Sequence, residues 1–248
     1  MKRRLLLMGC LFLIFVVYAR ADNTSDNSVN LIQAAKEGNL QLVKTLLDKG
    51  SDVNAKDNID TTALMFASQE GHIEVVKLLL EKGATLNAKD GVDGTALMYA
   101  SIKGQIDVVK LLLEKGADLN AKFTNEGTAL YWATLNNQKN VIKLLIDKGA
   151  LVSEKDKYGI TALMWAEDIE TVKLFLKKGA DVNAKDMNNE TAVMYASARG
   201  LVEVVKLLLE NGADVNAKDN DGKTALMNAT EKGYPEIIEL LKEAGAKE

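Results

Sequence analysis

A tripeptide, Thr-Ala-Leu or Thr-Ala-Val, recurs along the chain at an almost fixed interval. Its copies begin at Thr62, Thr95, Thr128, Thr161, Thr191 and Thr224. The interval is 33 residues, except for the 30 residues between Thr161 and Thr191. Periods of roughly 20–50 residues are the signature of repeat proteins, in which each unit contacts only its neighbours along the array. The sequence therefore predicts a stack of small, similar units and not one closed core.

Each copy has the pattern of two helices followed by a loop. A threonine hydroxyl can accept from unpaired backbone N–H groups at a helix start, and the Ala, Leu and Met that follow favour a helix. A glycine then ends the first helix, where a left-handed backbone is needed. An apolar segment with helical spacing, such as residues 75–80, predicts the second helix. A polar stretch close to Ala-Asp-Val-Asn-Ala-Lys-Asp leads into the next copy.

Residues 29–248 resemble the ankyrin repeat, whose signature reads DxxGxTPLHxAxxxGHxxVVxLLLxxGADVN. Two departures recur in every full copy: Ala stands where the family has Pro, and Met or Tyr where it has His, so the Thr–His bonding of the family is not available. The resemblance implies an all-α solenoid of about seven repeats. Their expected ranges are 29–57, 58–90, 91–123, 124–156, 157–186, 187–219 and 220–248.

The two ends of the array differ from its middle. Residues 29–57 keep the spacing but lack the Thr-Ala-Leu opening, which predicts an N-terminal cap. In the last copy Lys242 stands where the other copies have Leu or Ile. A polar residue at that position is what a terminal repeat needs when one face meets water.

Residues 1–21 are unlike the rest of the chain. Three basic residues precede an apolar run of about 14 residues, from Leu5 to Tyr18, and Ala19-Arg20-Ala21 forms a cleavage site of small residues. The run is shorter than the roughly 20 residues of a membrane-spanning helix, which favours a removable signal peptide. Two alternatives stay open: a lipid attached at Cys10, or an uncleaved anchor. Residues 22–28 are expected to be a polar leader.

The predicted export sets the composition of the mature chain. Cleavage after Ala21 removes four basic residues and no acidic one, which changes the net charge from −4 to −8, and it removes the only cysteine. An acidic surface disfavours nucleic acid as a partner. We therefore expect an exported monomer, periplasmic or secreted, that contacts a membrane only if residues 1–21 are retained or Cys10 is lipidated.

Residues with catalytic or metal-binding potential are few. His72 is the only histidine, and without a cysteine, a second histidine or a fixed acid nearby it cannot make a metal site or a catalytic triad, so a structural role is expected. Gly222-Lys223-Thr224 resembles the end of a phosphate-binding loop, but Ala217 occupies the position of its first glycine. The aspartates recur with the period, as scaffold residues do. We expect no cofactor, no metal and no enzymatic activity.

The candidate binding residues lie where the copies differ. One row follows the Met/Tyr position in the inner copies: Phe66, Tyr99, Trp132, Trp165 and Tyr195. Aromatic rows at regular spacing commonly form a core. The resemblance favours a second interpretation, in which the row lies on the concave face, is partly exposed, and anchors a partner. Variable loop tips add Phe123 and Tyr158 to this predicted site, which we centre on the fourth and fifth repeats.

The 30-residue copy omits three residues and the turn glycine after Ala166, which predicts a shortened helix and a notch at that edge. The resemblance as a whole implies a scaffold that binds a protein or an extended peptide. A tethered structural organiser of the cell envelope is the alternative, and an enzyme or small-molecule binder is a third class.

Overall fold

The computed structural model describes residues 27–247, which form fourteen α-helices in seven consecutive pairs. We number the helices α1 to α14 in chain order. Their bounds are Asn27–Lys36, Leu40–Asp48, Ala63–Glu70, Ile73–Glu81, Ala96–Lys103, Ile106–Glu114, Ala129–Leu135, Lys139–Asp147, Ala162–Trp165, Ile169–Lys177, Ala192–Arg199, Val202–Glu210, Ala225–Lys232 and Pro235–Glu243. Within residues 27–247 there is no strand, only three isolated bridges such as that between Lys56 and Thr62. The predicted all-α array of seven repeats is confirmed.

The first helix of most pairs begins and ends as the sequence predicts. Thr62 caps α3 by accepting the backbone N–H of Met65, and the Met65 sulfur in turn accepts the Thr62 N–H. The methionine thus takes part in a capping box although the histidine of the family is missing. At the other end, Gly71 has φ = +82°, a conformation that costs glycine little.

One hydrophobic core runs continuously through the array, because the first helices pack on one another and the second helices cover them. The Met position shows how neighbouring repeats bury it. Met65, Met98 and Met194 are about 1% exposed, whereas Met227 in the last repeat is 43% exposed. Lys242 is exposed, as predicted for a terminal repeat.

Two ladders of polar contacts join neighbouring repeats. On the turn side, the residue before the second helix reaches back to the preceding repeat in repeats two, three and four. His72 Nε2 lies 3.0 Å from the Lys36 carbonyl oxygen, Gln105 Nε2 donates to the Gln69 carbonyl at 3.0 Å, and Gln138 Nε2 donates to the Ile102 carbonyl at 3.2 Å. The expected structural role of His72 is confirmed. On the loop side, asparagine carboxamides accept from the next repeat, as Asn183 Oδ1 does from the Asp214 N–H at 2.8 Å.

The fifth repeat interrupts both ladders. Its first helix, α9, has four residues where α3, α5 and α11 have eight. Ser153 stands in the position of the asparagines, and Leu201 stands in the position of His72 and Gln105. The loop-side ladder is therefore interrupted between the fourth and fifth repeats, and the turn-side ladder between the fifth and sixth.

The N-terminal predictions lie mostly outside the described residues. The predicted signal peptide, Cys10 and most of the polar leader lie there, although α1 begins at Asn27, inside the stretch predicted as leader. No helix within residues 27–247 has the length and apolar character needed to span a membrane.

Candidate functional site

Six loop segments project between consecutive repeats, and we call them fingers one to six. They comprise residues 57–61, 90–94, 123–127, 156–160, 186–190 and 219–223. Five of them begin with an aspartate. In the second finger, Asp90 Oδ1 accepts the N–H groups of Val92 and Gly94 at 3.0 and 2.8 Å. The same pair of bonds forms in fingers one, four, five and six. A carboxylate that accepts two N–H groups holds each tip in one conformation.

Main-chain hydrogen bonds also tie each finger to the next. The second residue of one finger donates to the carbonyl of the third residue in the finger before it. Examples are Gly91 to Ile59, Thr124 to Val92 and Met187 to Tyr158, at 2.9, 3.0 and 2.9 Å. The tips therefore form one connected edge, along which side chains can vary while the backbone bonds stay the same.

Apolar side chains stand exposed on this edge. Val92 is 37% exposed, Tyr158 is 39% exposed and Met187 is 59% exposed. The Lys157 ammonium lies 5.1 Å from the centre of the Tyr158 ring, and Ile59 is half-buried on the first finger. Large apolar side chains on a surface whose backbone is fixed by hydrogen bonds are suited to contact with another macromolecule.

The aromatic row lies beneath the fingers, and most of it is not partly exposed as predicted. Phe66, Tyr99, Trp132 and Trp165 are each 4–5% exposed, and Tyr195 is half-buried. The rings are covered because the finger bases and neighbouring rings close over them. For example, Trp165 and Tyr195 meet edge to face with their centres 5.7 Å apart. The expectation of partial exposure is wrong for the first four residues of the row, whereas Tyr195 is partly exposed. Contact of the row with a partner stays a prediction.

The other two predicted residues have different environments. Phe123 is buried at the base of the third finger, where its ring packs edge to face on Tyr99 and Trp132 at centre distances of 5.9 and 5.6 Å. The structure thus brings Phe123 together with the row. Of all the residues predicted for the site, Tyr158 is the most exposed.

Tyrosine hydroxyls connect the buried row to the finger aspartates. Tyr99 donates to Asp90 Oδ2, and Tyr195 donates to Asp186 Oδ2 at 3.1 Å. In the fourth finger, Asp156 Oδ2 accepts from Tyr131, which stands at the Met position of the preceding repeat, at 2.9 Å. The row therefore helps to fix the carboxylates that hold the tips.

Burial governs the protonation of this network. It raises the pKa of the Tyr131 hydroxyl far above its ordinary value, so this group remains a donor, while the Trp165 Nε1–H donates to its oxygen at 2.9 Å. Burial also raises the pKa of Asp156, although the N–H groups of Ile160 and Tyr158 and the Tyr131 hydroxyl oppose the change. A raised pKa is what burial produces in a structural carboxylate such as Asp156.

Arg199 occupies the edge where the sequence predicts a notch. Its guanidinium donates to the carbonyl oxygens of Met164 at 2.8 Å and Trp165 at 3.3 Å, and it lies 3.3 Å from the Glu167 carboxylate. These carbonyls belong to the end of the short helix α9, where no further turn follows whose N–H groups could donate to them. The shortened helix is confirmed, but a side chain of the next repeat reaches its end.

Sequence reasoning missed both Arg199 and the pair of Tyr131 with Asp156. A signal for the second was present, because Tyr131 is the only tyrosine among the residues at the Met position. Arg199 gave a weaker signal, as one of several charged residues before a turn glycine. Within the described part of the chain, no group of three or more His, Cys, Asp and Glu side chains could hold a metal ion.

The comparisons with known proteins agree with this architecture. A family model described as "Ankyrin repeats (3 copies)" matches residues 31–123, 120–186 and 167–248. Among solved structures, the crystal structure of the human ASB11 ankyrin repeat domain is similar, with a TM-score of 0.78 and 27% sequence identity. That match covers 88% of this chain and 98% of the other. No curated protein sequence matches.

The chain belongs to the ankyrin repeat family. Domains of this family are generally non-enzymatic scaffolds for protein–protein interaction.

Proposed function

We propose that this protein binds another protein, or an extended peptide of one, along the finger tips and the adjoining concave face of its array. The observation that carries the proposal is the exposure of Val92, Tyr158 and Met187 on the second, fourth and fifth fingers of one hydrogen-bonded edge. Aromatic and Met side chains are enriched at protein interfaces, and such side chains contribute most when their supports are already ordered.

In this proposal, the tyrosines beneath the fingers act mainly by holding the finger tips in place. Tyr99, Tyr131 and Tyr195 donate to the aspartates whose other oxygens hold the tips of fingers two, four and five. Because those tips are fixed before a partner arrives, little conformational entropy is lost on binding. Direct contact of Trp132 or Trp165 with the partner requires that a finger first moves away.

The experiment compares capture by three forms of the full chain. Wild type, the double variant Tyr158→Ser/Met187→Ser and the control Leu151→Ser are immobilised and exposed to an envelope and culture extract of producing cells. Leu151 is 53% exposed but lies outside the fingers. We expect the double variant to lose at least about tenfold in affinity for a captured protein, the equivalent of about 1.4 kcal/mol. The control should bind as wild type does.

Circular dichroism should give all three forms the same helix content, since none of the substituted side chains is buried. Equal capture by wild type and the double variant would refute a binding site at the tips. Loss of capture by the Leu151 control alone would place the site on the other side of the loops.

Export is a further part of the proposal, supported by the charged start, apolar run and small-residue cleavage site of residues 1–21. Mass spectrometry of the mature N-terminus tests it. A chain that starts at Asp22 supports a free periplasmic or secreted protein. An intact Met1 or a lipidated Cys10 supports the alternative of a tethered organiser of the envelope.

A further inference from the structure

The tip of the third finger is held by different hydrogen bonds from those of the other five. Its first residue is Phe123, so no carboxylate lies beneath its tip to accept the N–H groups of Asn125 and Gly127. The Gly127 N–H donates to the Asn125 side-chain oxygen instead, at 3.1 Å. A neutral amide oxygen is a weaker acceptor than a carboxylate, and it serves one N–H group here where an aspartate serves two.

The indole of Trp132 lies under the same finger with its N–H unsatisfied. The side chain is 5% exposed, and its Nε1 has no hydrogen-bond partner in the described structure. The corresponding ring hydroxyls of Tyr99 and Tyr195 donate to finger aspartates. A buried donor without an acceptor destabilises the closed state, and this cost is removed when water reaches the group.

The main chain of the third finger covers this N–H directly. A Cβ placed on Gly127 would lie 2.8 Å from Trp132 Nε1. Displacement of the finger at Gly127 therefore gives water or another acceptor access to the indole. The ring contacts of Phe123 with Tyr99 and Trp132 oppose the movement, and so does the bond that Thr124 Oγ1 donates to Asp93 Oδ2 of the second finger at 3.2 Å. The main-chain bonds to adjacent fingers are the same as elsewhere in the array.

We propose that the third finger opens by itself in the folded protein while the second and fifth fingers stay closed, and that this opening uncovers Phe123 and Trp132. Local opening of this kind draws on the least stable part of a fold. The use of the uncovered rings rests on the proposed function: a bound protein would place an oxygen acceptor at the indole N–H. The opening itself does not depend on any partner.

Amide hydrogen exchange of the free full chain, measured residue by residue with NMR, tests the opening. The first residue of each finger donates to the carbonyl of the fifth, so these amides are matched: Phe123, Asp90 and Asp186 make this bond at 3.1, 3.1 and 3.0 Å. After correction for intrinsic rates, we expect the Phe123 amide to be at least about tenfold less protected than the other two. Equal or greater protection at Phe123 would overturn the proposal.

Two substitutions separate the causes. Phe123→Asp supplies the missing acceptor, so protection at position 123 should rise towards that of Asp90. Trp132→Phe keeps a ring but removes the unsatisfied N–H, so protection of the Phe123 amide should rise as well. The matched control Trp165→Phe, whose N–H is bonded to Tyr131, should leave the Phe123 amide unchanged.

If Phe123→Asp does not fold, the proposal is still tested by the comparison of the Phe123, Asp90 and Asp186 amides in the wild type and by the Trp132→Phe variant. If the protection of the Phe123 amide is unchanged in Trp132→Phe, the unsatisfied indole N–H does not promote the opening. The exchange and capture experiments test separate claims. Equal capture by wild type and the Tyr158/Met187 variant would refute binding at the tips but leave the opening of the third finger intact. Equal protection of the Phe123, Asp90 and Asp186 amides would refute the opening but leave binding at the tips intact.

Discussion

Replacement of Arg199 with methionine should weaken the array at the junction between the fifth and sixth repeats. The guanidinium donates to the Met164 and Trp165 carbonyls at the end of α9, and both bonds cross from one repeat to the next. A methionine retains much of the apolar stem but offers no donor. Hydrogen bonds to charged groups contribute about 1.5–3 kcal/mol each.

The expected cost is smaller than the sum of two such bonds. The Arg199 side chain is 17% exposed and the Glu167 carboxylate is 33% exposed, so water can reach part of the site, and the ion pair between them contributes little. With this discount we expect a loss of about 2–4 kcal/mol in the free energy of unfolding. Arg199→Lys should lose an intermediate amount, because a lysine keeps the charge but cannot bond both carbonyls with a planar fork.

Urea unfolding followed by circular dichroism is the assay, and Lys232→Met is the matched control. Lys232 precedes Gly233 as Arg199 precedes Gly200, but it is exposed, so its replacement should change stability by less than about 0.5 kcal/mol. Stability of a repeat array depends on the interfaces between neighbours. The Arg199 variant should therefore also show a shallower or two-step transition, since the last two repeats can unfold before the others. A change as small as that of Lys232→Met would refute the role assigned to Arg199.

Three further predictions concern buried and junction residues. Trp165→Ala should cost about 3–5 kcal/mol of stability, because the ring is buried, so its effect on partner capture can be interpreted only beside an unfolding curve. Ser153→Asn should stabilise the junction between the fourth and fifth repeats by about 0.5–1.5 kcal/mol in urea unfolding, if its carboxamide accepts from the next repeat as Asn183 does. No gain would mean that the loop geometry differs there. Asp156→Asn tests the raised pKa of Asp156: the charged form is disfavoured in the fold, so the stability of wild type relative to the variant should increase as the pH falls from 7 towards the ordinary value of 3.8. A pH-independent difference would contradict it.

The period made the fold predictable, because local signals repeat in every copy. Threonine caps, turn glycines and apolar spacing are each read within a few residues, and the structure places the helices accordingly. The exposure of the aromatic row could not be read in this way. Whether Trp132 is covered depends on Phe123 and on the course of the third finger, and the spacing of the aromatic positions is the same for a covered and an exposed row.

The side-chain contacts found where a copy departs from the repeat pattern could not be predicted from the neighbouring sequence either. Arg199 reaches carbonyls 34 and 35 residues earlier in the chain, and Tyr131 reaches an aspartate 25 residues later. A shortened copy shows from the sequence that helix carbonyls lose their N–H donors, but not which side chain bonds to them instead. That choice depends on the packing of the next repeat.

Side chains at the finger tips can vary because their support does not depend on them. Each aspartate at a finger base bonds to main-chain N–H groups, and adjacent fingers bond through main-chain atoms, so Val92, Tyr158 and Met187 differ without altering either set of bonds. The third finger is the exception, because Phe123 removes the carboxylate itself. If binding uses the tips, the rigid fingers supply prearranged contacts and the third finger supplies the place where the protein can adapt to its partner. The exchange rate of the Phe123 amide and the affinity of the Tyr158/Met187 variant then measure two separate contributions to the same interface.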